Sequence, residues 1–240
     1  MRPSLRELRY QESEILALKE LAAKGAVEHV KDGMVIGLGS GSTASIAIRI
    51  LGERVKQGLK IVGVATSKES ERLGESVGIK MGELKDYPEV DLTIDGADEV
   101  DPQLNLIKGL GGALVREKIV ATHSKVEIIV VDDSKLVAFL GQKSPLPVEI
   151  VKFAHEATAR LLGKFGCEPV LRSNAGKPFV TDNGNYIVDC RFSRIENPQK
   201  MEMEINLVPG VVDNGLFVCL ADKVIVASKD GIKTLEKKKP

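Results

Sequence analysis

The sequence predicts an α/β protein. Its main part is expected to be a Rossmann-like open parallel sheet flanked by helices, with a second, smaller α+β (ferredoxin-like) domain. Up to residue 131, short apolar segments alternate with amphipathic helical ones, a rhythm typical of parallel sheets with helices on both faces. It changes after a stretch with two prolines, Leu140–Pro147. We therefore expect residues 1–143 and 219–240 to form the first domain and residues 144–218 the second.

The first domain is predicted to begin with a polar tail and an amphipathic helix. Apolar residues recur at helical spacing from Ile15 to Val30, and Asp32-Gly33 is a typical helix end. The next segments are predicted strands at 34–38, 60–65, 91–94 and 126–131, and predicted helices at 44–55, 69–77 and 113–124. A strand at 224–227 is expected to return to this sheet, and the end from Glu236 to Pro240 to be a solvated tail.

The second domain is predicted to mix strands and helices in a ferredoxin-like order. The expected elements are strands at 148–151 and 169–172, helices at 154–165 and 198–205, and a strand around 215–219. The turn residues Asp182-Asn183-Gly184 predict a hairpin that pairs 179–181 with 186–190. The apolar faces of this domain are the first expectation for part of an oligomer contact.

Composition excludes several classes of protein. The chain has 240 residues, of which 43% are hydrophobic, enough to bury a proper core. Its 34 basic residues balance 34 acidic ones, so we expect no nucleic-acid partner and no attraction to an anionic membrane. No segment reaches the roughly 18 apolar residues of a membrane span, and no secretory signal is visible. We expect a cytoplasmic protein.

Cysteines and histidines suggest no separate chemistry. The cysteines are odd in number and lack C-x-x-C spacing, which favours reduced core thiols over disulfides or zinc ligands. The histidines have no partners at ligand spacing and are expected to have surface or capping roles. The residues concerned are Cys167, Cys190, Cys219, His29, His123 and His155.

A glycine-rich loop lies where the first predicted strand gives way to a helix. Residues 37–43 place several amide N–H groups and three hydroxyls, those of Ser40, Ser42 and Thr43, at the positive end of a helix dipole. This arrangement favours phosphate binding. Ser42 replaces the last glycine of the dinucleotide fingerprint, and no lysine precedes Ser42-Thr43 as in a P-loop. A monophosphate is therefore expected rather than a nucleotide.

The densest group of charges lies between Thr93 and Lys118. Asp95, Asp98 and Glu99 directly follow a buried strand, at the sheet edge where open α/β proteins bind ligands. Lys108 then enters a glycine loop, and a helix follows that is apolar almost all round, so its charges 116–118 have no clean solvent face. Asp-Gly turn chemistry and a salt-bridged helix would explain any single carboxylate, but the whole cluster favours a ligand site.

Seven motifs occur in an order that closely resembles the A type of ribose-5-phosphate isomerase. They are Gly39-Ser-Gly-Ser-Thr43, Asp95-Gly-Ala-Asp-Glu99, Lys108-Gly-Leu-Gly-Gly112, Arg116-Glu-Lys118, Asp133-Ser-Lys135, Pro145-Leu-Pro-Val-Glu149 and Thr181-Asp-Asn-Gly-Asn185. The resemblance runs from about Lys19 to Lys233. It implies reversible conversion of D-ribose 5-phosphate to D-ribulose 5-phosphate in the pentose phosphate pathway, without metal or organic cofactor, by a homodimer or homotetramer.

The resemblance also implies roles for individual residues. Glu117 is similar to the base that moves the proton, and Asp95, Asp98 and Lys108 to the groups that hold the reacting end of the sugar. The implied substrate contacts are Lys19, Ser40, Gly41, Ser42, Thr43, Asp95, Gly96, Ala97, Asp98, Lys108, Gly109, Leu110, Gly111 and Lys135. Lys19 rests on a short local motif, and the tail before Ser13 has no assigned role.

The residue types suit this chemistry without the family. Aldose–ketose isomerisation needs one group that acts as base and then as acid, and a positioned carboxylate such as Glu117 can do both. Lysine and loop amides can stabilise the enediolate. Asp95 and Asp98, beside a third carboxylate, should repel, which raises at least one pKa. We hypothesise that this pair opens the cyclic sugar by moving a proton between the ring oxygen and the anomeric hydroxyl.

Three other interpretations stay open from the residues alone. A sugar-phosphate-sensing domain would keep the phosphate loop without needing Glu117, although no DNA-reading element is visible in the first 35 residues. Amino-sugar phosphate deamination on a related fold is a second alternative. Magnesium could bind Asp95, Asp98 and Glu99, but two nearby lysines would compete for these carboxylates.

Overall fold

The structure, a computed structural model, describes residues 5–237, with side chains from residue 13 onward. Its largest element is a seven-stranded sheet in the order β16-β15-β7-β4-β1-β2-β3, in which only β16 is antiparallel to its neighbour. These strands are β1 Val35–Leu38, β2 Val62–Ala65, β3 Lys80–Gly82, β4 Leu92–Asp95, β7 Glu127–Asp132, β15 Lys223–Ser228 and β16 Gly231–Glu236. The predicted open, mostly parallel sheet is confirmed.

Helices cover this sheet because each has an apolar stripe to bury. They are α1 Leu5–Val27, α2 Ser42–Lys56, α3 Lys68–Ser76 and α4 Leu114–Thr122. The core on one side joins alanines of α1 to Ile48 and Leu51 of α2 and Ile36 and Ile128 of the sheet, all at most 1% exposed. Small alanines let α1 lie close to the strands.

A second sheet of four antiparallel strands has the order β13-β8-β12-β9. With α5 His155–Gly163 and α6 Pro198–Asn206, its strands β8 Leu146–Ile150, β9 Glu168–Leu171, β12 Tyr186–Arg191 and β13 Val211–Asn214 follow the chain order βαββαβ. This is the ferredoxin-like arrangement expected from the sequence. The division into two domains with boundaries at residues 143/144 and 218/219 stays a prediction.

Two smaller sheets complete the fold. A three-stranded sheet pairs β5 Glu99–Val100 with β6 Leu106–Ile107 and β6 with β14 Leu216–Phe217. A two-stranded ribbon is formed by β10 Ser173–Asn174 and β11 Lys177–Pro178. The sequence analysis missed β3, β5, β6, β10, β11, β13 and β16 because most are too short for a period-2 pattern.

Three local predictions are wrong. The first helix begins at Leu5, so the segment before Ile15 is helical rather than a tail. The predicted hairpin is absent from the described strands: β12 pairs with β8 and β9, while residues 181–185 form only a turn, with Thr181 N–H donating to the Asn185 carbonyl. Glu236 belongs to β16, and the expected tail at 238–240 lies outside the described residues.

The remaining side-chain predictions have mixed outcomes. All three cysteines are free thiols, but only Cys190 is buried and Cys219 is exposed, so the prediction of a core thiol is wrong for Cys219. His29 and His123 are exposed, and the His123 ring nitrogen Nδ1 lies 2.8 Å from the Ile119 carbonyl at the end of α4. Among the described helices, none is long and apolar enough to cross a membrane.

Candidate active site

The candidate site lies at the carboxyl ends of β1 and β4, where the two strands run side by side. The chain leaves β1 through Gly39 and Ser40, and leaves β4 through Asp95 and Gly96. A Cβ atom at Gly39 would lie 2.5 Å from the Asp95 Cα atom, so only glycine allows this close approach. Asp95 Oδ1 accepts hydrogen bonds from the N–H groups of Ser40 (2.9 Å) and Gly96 (2.7 Å), which ties the two loops together.

The glycine-rich loop leads directly into the N-terminus of α2. No acidic residue occupies the first turn of this helix, so its free N–H groups and positive dipole end are available to an anion. Lys19 of α1 adds a cation here, because its Nζ donates to Ser42 Oγ over 2.9 Å. Lys19 therefore lies beside the glycine-rich loop, and its role as a substrate contact stays a prediction.

Lys108 lies at the centre of a buried ion cluster. Its Nζ lies 3.0 Å from Asp95 Oδ2 and 3.3 Å from Glu117 Oε2, and it donates to the Gly96 carbonyl over 2.6 Å. The three side chains are at most 5% exposed. Asp95 Oδ2 and Glu117 Oε2 accept no hydrogen bond of good geometry among the described residues. Two buried carboxylates thus share one ammonium group, and one oxygen of each carboxylate can still accept a hydrogen bond.

Burial changes the protonation of this cluster. Desolvation raises the pKa of Glu117 to about 8, with the Asp95 carboxylate adding to the shift and the Lys108 ammonium opposing it. Burial alone would lower the pKa of Lys108, but the Asp95 and Glu117 carboxylates outweigh it and hold that pKa above its usual value. Glu117 can therefore exchange a proton near neutral pH beside a permanent positive charge.

Asp98 lies across the cavity in a different environment. Burial raises its pKa, whereas a hydrogen bond from the Leu110 N–H (3.0 Å) and the charges of Lys108, Lys135 and Arg172 lower it. The predicted rise in a carboxyl pKa is confirmed for Asp98 and Glu117. The reason given from the sequence was repulsion between carboxylates. Desolvation is the main cause at both residues, and neighbouring carboxylates add to the shift only at Glu117.

A cavity of about 110 Å³ collects most of the predicted residues. Its lining consists of Lys19, Ser40, Gly41, Ser42, Thr43, Gly96, Ala97, Asp98, Lys108, Gly109, Gly111, Glu117 and Lys135. Asp95 is absent from this lining because it lies behind Lys108. Leu110 also points its side chain away, with 41% exposure, and contributes its backbone N–H to Asp98.

The other two charges of the Arg116-Glu117-Lys118 run contact different regions. Arg116 Nε donates to Asn183 Oδ1 over 2.8 Å, and Lys118 Nζ lies 2.7 Å from Asp213 Oδ1 and 3.2 Å from Glu202 Oε1. The expectation that some of these charges meet groups other than water is confirmed. These contacts join α4 to residues of the second sheet and of the segments beside it.

Sequence reasoning missed the hydroxyl network behind the glycine loop. Ser40 Oγ lies 2.7 Å from Thr66 Oγ1, and Ser70 Oγ donates to the Gly39 carbonyl over 2.6 Å. Thr66 and Ser70 follow β2, whose carboxyl end meets the same edge, so the strand end was an available signal. Within residues 13–237, no group of three or more His, Cys, Asp or Glu side chains is arranged to hold a metal ion.

The fold and the site indicate a class: an α/β enzyme whose site suits an anionic ligand at a helix N-terminus and a proton transfer beside it. The family described as Ribose 5-phosphate isomerase A (phosphoriboisomerase A) matches residues 62–231. Ribose-5-phosphate isomerase A of Gloeobacter violaceus is 54% identical over 91% of this chain and 95% of its own, and that of Pyrococcus abyssi is 48% identical over 92% and 98%. This chain belongs to the ribose-5-phosphate isomerase A family.

Solved structures are similar over nearly the whole chain. One described as D-ribose-5-phosphate isomerase in complex with phospho-erythronic acid superposes with a TM-score of 0.90 at 44% identity, covering 92% of this chain and 99% of its own. Ribose 5-phosphate isomerase A of Methanocaldococcus jannaschii gives 0.88 at 46% identity, with the same coverage. The described fold is thus that of the family.

Proposed function

We propose that this protein interconverts D-ribose 5-phosphate and D-ribulose 5-phosphate by a metal-free enediolate mechanism. The observation that carries the proposal is the buried Lys108–Glu117 pair facing a cavity whose other end is a helix N-terminus. The phosphate is placed at the loop Ser40–Thr43 with Lys19, and the reacting carbons at Glu117. A relative's complex with phospho-erythronic acid supports this, since a planar carboxylate next to a hydroxylated carbon resembles an enediolate.

In this mechanism Glu117 removes the proton from C2 of the aldose and returns it to C1. Because the pKa of Glu117 is raised to about 8, the carboxyl group can both accept and donate a proton near neutral pH. Lys108 lies 3.3 Å from Glu117 and provides the positive charge for the oxygen that becomes negative. Gly96, Ala97 and the glycines of the Lys108 loop supply close backbone contacts.

The two aspartates have separate proposed roles. Asp98 faces the cavity and carries the ring-opening proton transfer, whereas Asp95 holds Lys108 and the two loops in place. This differs from the sequence-based hypothesis, in which both aspartates contacted the sugar. The sensing alternative is not favoured, because ligand binding alone gives no reason to bury Glu117 beside a lysine.

The decisive experiment compares turnover of ribose 5-phosphate by metal-stripped wild type and Glu117→Gln. We expect an active wild type and a loss of about 10²–10⁴ in kcat in the variant, the usual contribution of a positioned general base. Glu202→Gln is the matched control, since Glu202 also contacts a lysine but lies outside the cavity lining. Binding without turnover in the wild type would favour a sensor, and an unchanged Glu117→Gln would mean another base.

We also propose a homodimer or homotetramer located in the cytoplasm. Large apolar side chains of the 144–218 region are solvent-exposed in the single chain, among them Phe153 (87%), Leu207 (81%) and Met203 (57%). Such side chains support an oligomer contact there. Three free thiols suit a reducing compartment. Light scattering tests the assembly, and a monomer at micromolar concentration would reject it.

A further inference from the structure

An arginine at the end of a strand of the four-stranded sheet contacts residues 108–112, the catalytic loop. Arg172 directly follows β9, and its Nη1 donates to the backbone carbonyls of Gly109 (3.0 Å) and Leu110 (2.9 Å). Both carbonyls belong to the loop that begins at Lys108. A side chain from the second sheet therefore holds the backbone of a loop whose other atoms line the cavity.

Arg172 is itself firmly held. Its Nε donates to Asp189 Oδ2 over 2.9 Å, and its Nη2 forms a second bond to Asp189 Oδ1, which is the bidentate geometry that orients a guanidinium. The guanidinium carbon lies 5.8 Å from the centre of the Phe179 ring. Phe179 N–H donates to the Arg172 carbonyl over 2.8 Å, so ring and cation are fixed together. Only 12% of the Arg172 side chain is exposed.

The Phe179 ring also contacts the loop directly. A Cβ atom at Gly112 would lie 2.5 Å from ring carbons of Phe179, and the φ angle of Gly112 is +85°. Both facts require glycine at this position. The loop is thus held at two points, by Arg172 at the 109 and 110 carbonyls and by Phe179 at Gly112.

The held peptide leads to the active site. The Gly109 carbonyl and the Leu110 N–H are the two ends of one planar peptide group. Arg172 binds its oxygen, and its N–H donates to Asp98 Oδ2 over 3.0 Å. Fixing the oxygen fixes the direction of the N–H. The charge of Arg172 and this hydrogen bond both lower the pKa of Asp98 against the effect of burial.

We propose that Arg172 is a positioning residue for ring opening, which sets the Asp98 carboxylate through the Gly109–Leu110 peptide group. This inference rests on the proposed isomerase function and on the role of Asp98 in it. The second sheet then contributes to catalysis without any of its atoms touching the sugar. Arg172 acts on the step that only a cyclic substrate needs, so its removal has an effect that depends on the substrate.

The test compares kcat on ribose 5-phosphate and on 4-deoxy-D-ribose 5-phosphate, which has no 4-hydroxyl to close a furanose ring. We expect Arg172→Gln to lose about 10- to 100-fold on the cyclic substrate, as for a misplacement of about 1 Å, and much less on the open-chain one. Asp98→Asn should show the same selectivity more strongly. Arg172→Lys, which keeps the charge, should recover part of the rate.

Arg194→Gln is the matched control. Arg194 also pairs with a carboxylate (Glu196, 3.2 Å) and packs on an aromatic ring (Phe139, 4.8 Å), but neither partner belongs to the 108–112 loop. We expect wild-type kinetics from it. Equal losses of Arg172→Gln on both substrates, or no loss, would overturn the inference. An inactive wild type would instead reject the isomerase function.

Two further measurements keep the inference testable. Asp189→Asn is the substitute if Arg172→Gln does not fold, because it leaves Arg172 in place but weakens the bonds that orient it. We expect it to lower kcat on the cyclic substrate more than on the open-chain one, with a smaller loss than in Arg172→Gln. If the wild type does not turn over the analogue, NMR titration of the Asp98 carboxyl carbon decides. The groups that act on this carboxyl are the Leu110 N–H and the charges of Lys108, Lys135, Arg172 and Glu117. Arg172→Gln should raise the Asp98 pKa, and an unchanged pKa would contradict the inference.

Discussion

Two neighbouring residues of α4, Glu117 and Lys118, belong to two different ion clusters, and the lysine of each cluster contacts the same aromatic ring. The ammonium groups of Lys108 and Lys118 lie 5.3 and 5.2 Å from the centre of the buried Phe217 ring. Each lysine faces two carboxylates and one backbone carbonyl. In residue types the two clusters are nearly the same.

They differ in burial and in how completely their hydrogen bonds are made. Lys118 donates to Asp213 (2.7 Å), Glu202 (3.2 Å) and the Asn214 carbonyl (2.8 Å), and the charged groups keep 12–21% exposure. In the Lys108 cluster exposure is at most 5%. Asp95 Oδ2 and Glu117 Oε2 form ion pairs with Lys108 but accept no hydrogen bond of good geometry among the described residues.

This difference separates a structural cluster from a chemical one. A buried charge with all its ion pairs and hydrogen bonds formed mainly orients the groups around it. A buried charge with unformed hydrogen bonds lowers the stability of the fold. Proteins keep such destabilising groups mainly at sites where the groups bind a ligand or take part in a reaction. Only the Lys108 cluster opens onto the cavity.

The largest expected effect comes from removing each lysine in turn. Lys108→Met should lower kcat on ribose 5-phosphate by about 10²–10³, the cost of losing one group that stabilises a developing oxyanion. Lys118→Met should keep kcat near the wild-type value but lower the free energy of unfolding by about 3 kcal/mol, since Glu202 and Asp213 lose their cation. Steady-state kinetics and urea denaturation measure the two effects. A folded Lys118→Met as inactive as Lys108→Met would abolish the distinction.

The residues of the Lys108 cluster could be singled out from the sequence because its charged residues lie close to predicted strands, loops and helices. Asp95 was singled out because it directly follows a predicted strand, Lys108 because it enters a glycine loop, and Glu117 because it lies in the helix that follows. The family motifs then brought in Lys19 and Lys135, both of which line the cavity. Local sequence carried no sign that Asp95 lies behind Lys108 rather than against the ligand, because that depends on side-chain packing between loops.

Long-range contacts set the limit in the second sheet. The Asn-Gly turn at 183–184 correctly predicted a turn, but the flanking segments do not pair, because β12 finds β8 and β9 instead. Arg172 was missed for the same reason. Its partners on the catalytic loop lie more than 60 positions away in the chain (|i−j| 62 and 63), and nothing in Leu171-Arg172-Ser173 signals them.

The next effect concerns pH and tests whether the Lys108 cluster is chemically active. The pKa of Glu117 is raised to about 8, chiefly by burial, so the ionised base is lost as the pH falls through that value. We expect kcat/KM to fall about tenfold per pH unit below about 8 and to level off above it. Glu202 of the Lys118 cluster also has a pKa raised by burial. Glu202→Gln should nevertheless leave the fall of kcat/KM below pH 8 unchanged. A profile that is flat down to pH 5 would contradict the assignment.

The smallest effect sharpens the comparison with a third buried carboxylate, Glu127 of β7. It is 1% exposed, both of its oxygens lack a hydrogen bond among the described residues, and burial raises its pKa well above the usual value, with Asp95 adding to the shift. It does not line the cavity, so burial alone does not make a catalytic group. Because the folded state favours the protonated form, stability should fall as the pH rises above about 4.5, the usual value.

Glu127→Gln removes this dependence. We expect the variant to melt at a higher temperature than the wild type at pH 8, by about 2–4 °C for each kcal/mol recovered, and to match it closely at pH 4, where Glu127 is protonated in both folded and unfolded chains. Its kcat should stay near the wild-type value. A melting difference that is independent of pH would mean that the pKa of Glu127 is not raised in the folded protein. A large loss of kcat in the stable variant would instead extend the Lys108 cluster to a third carboxylate.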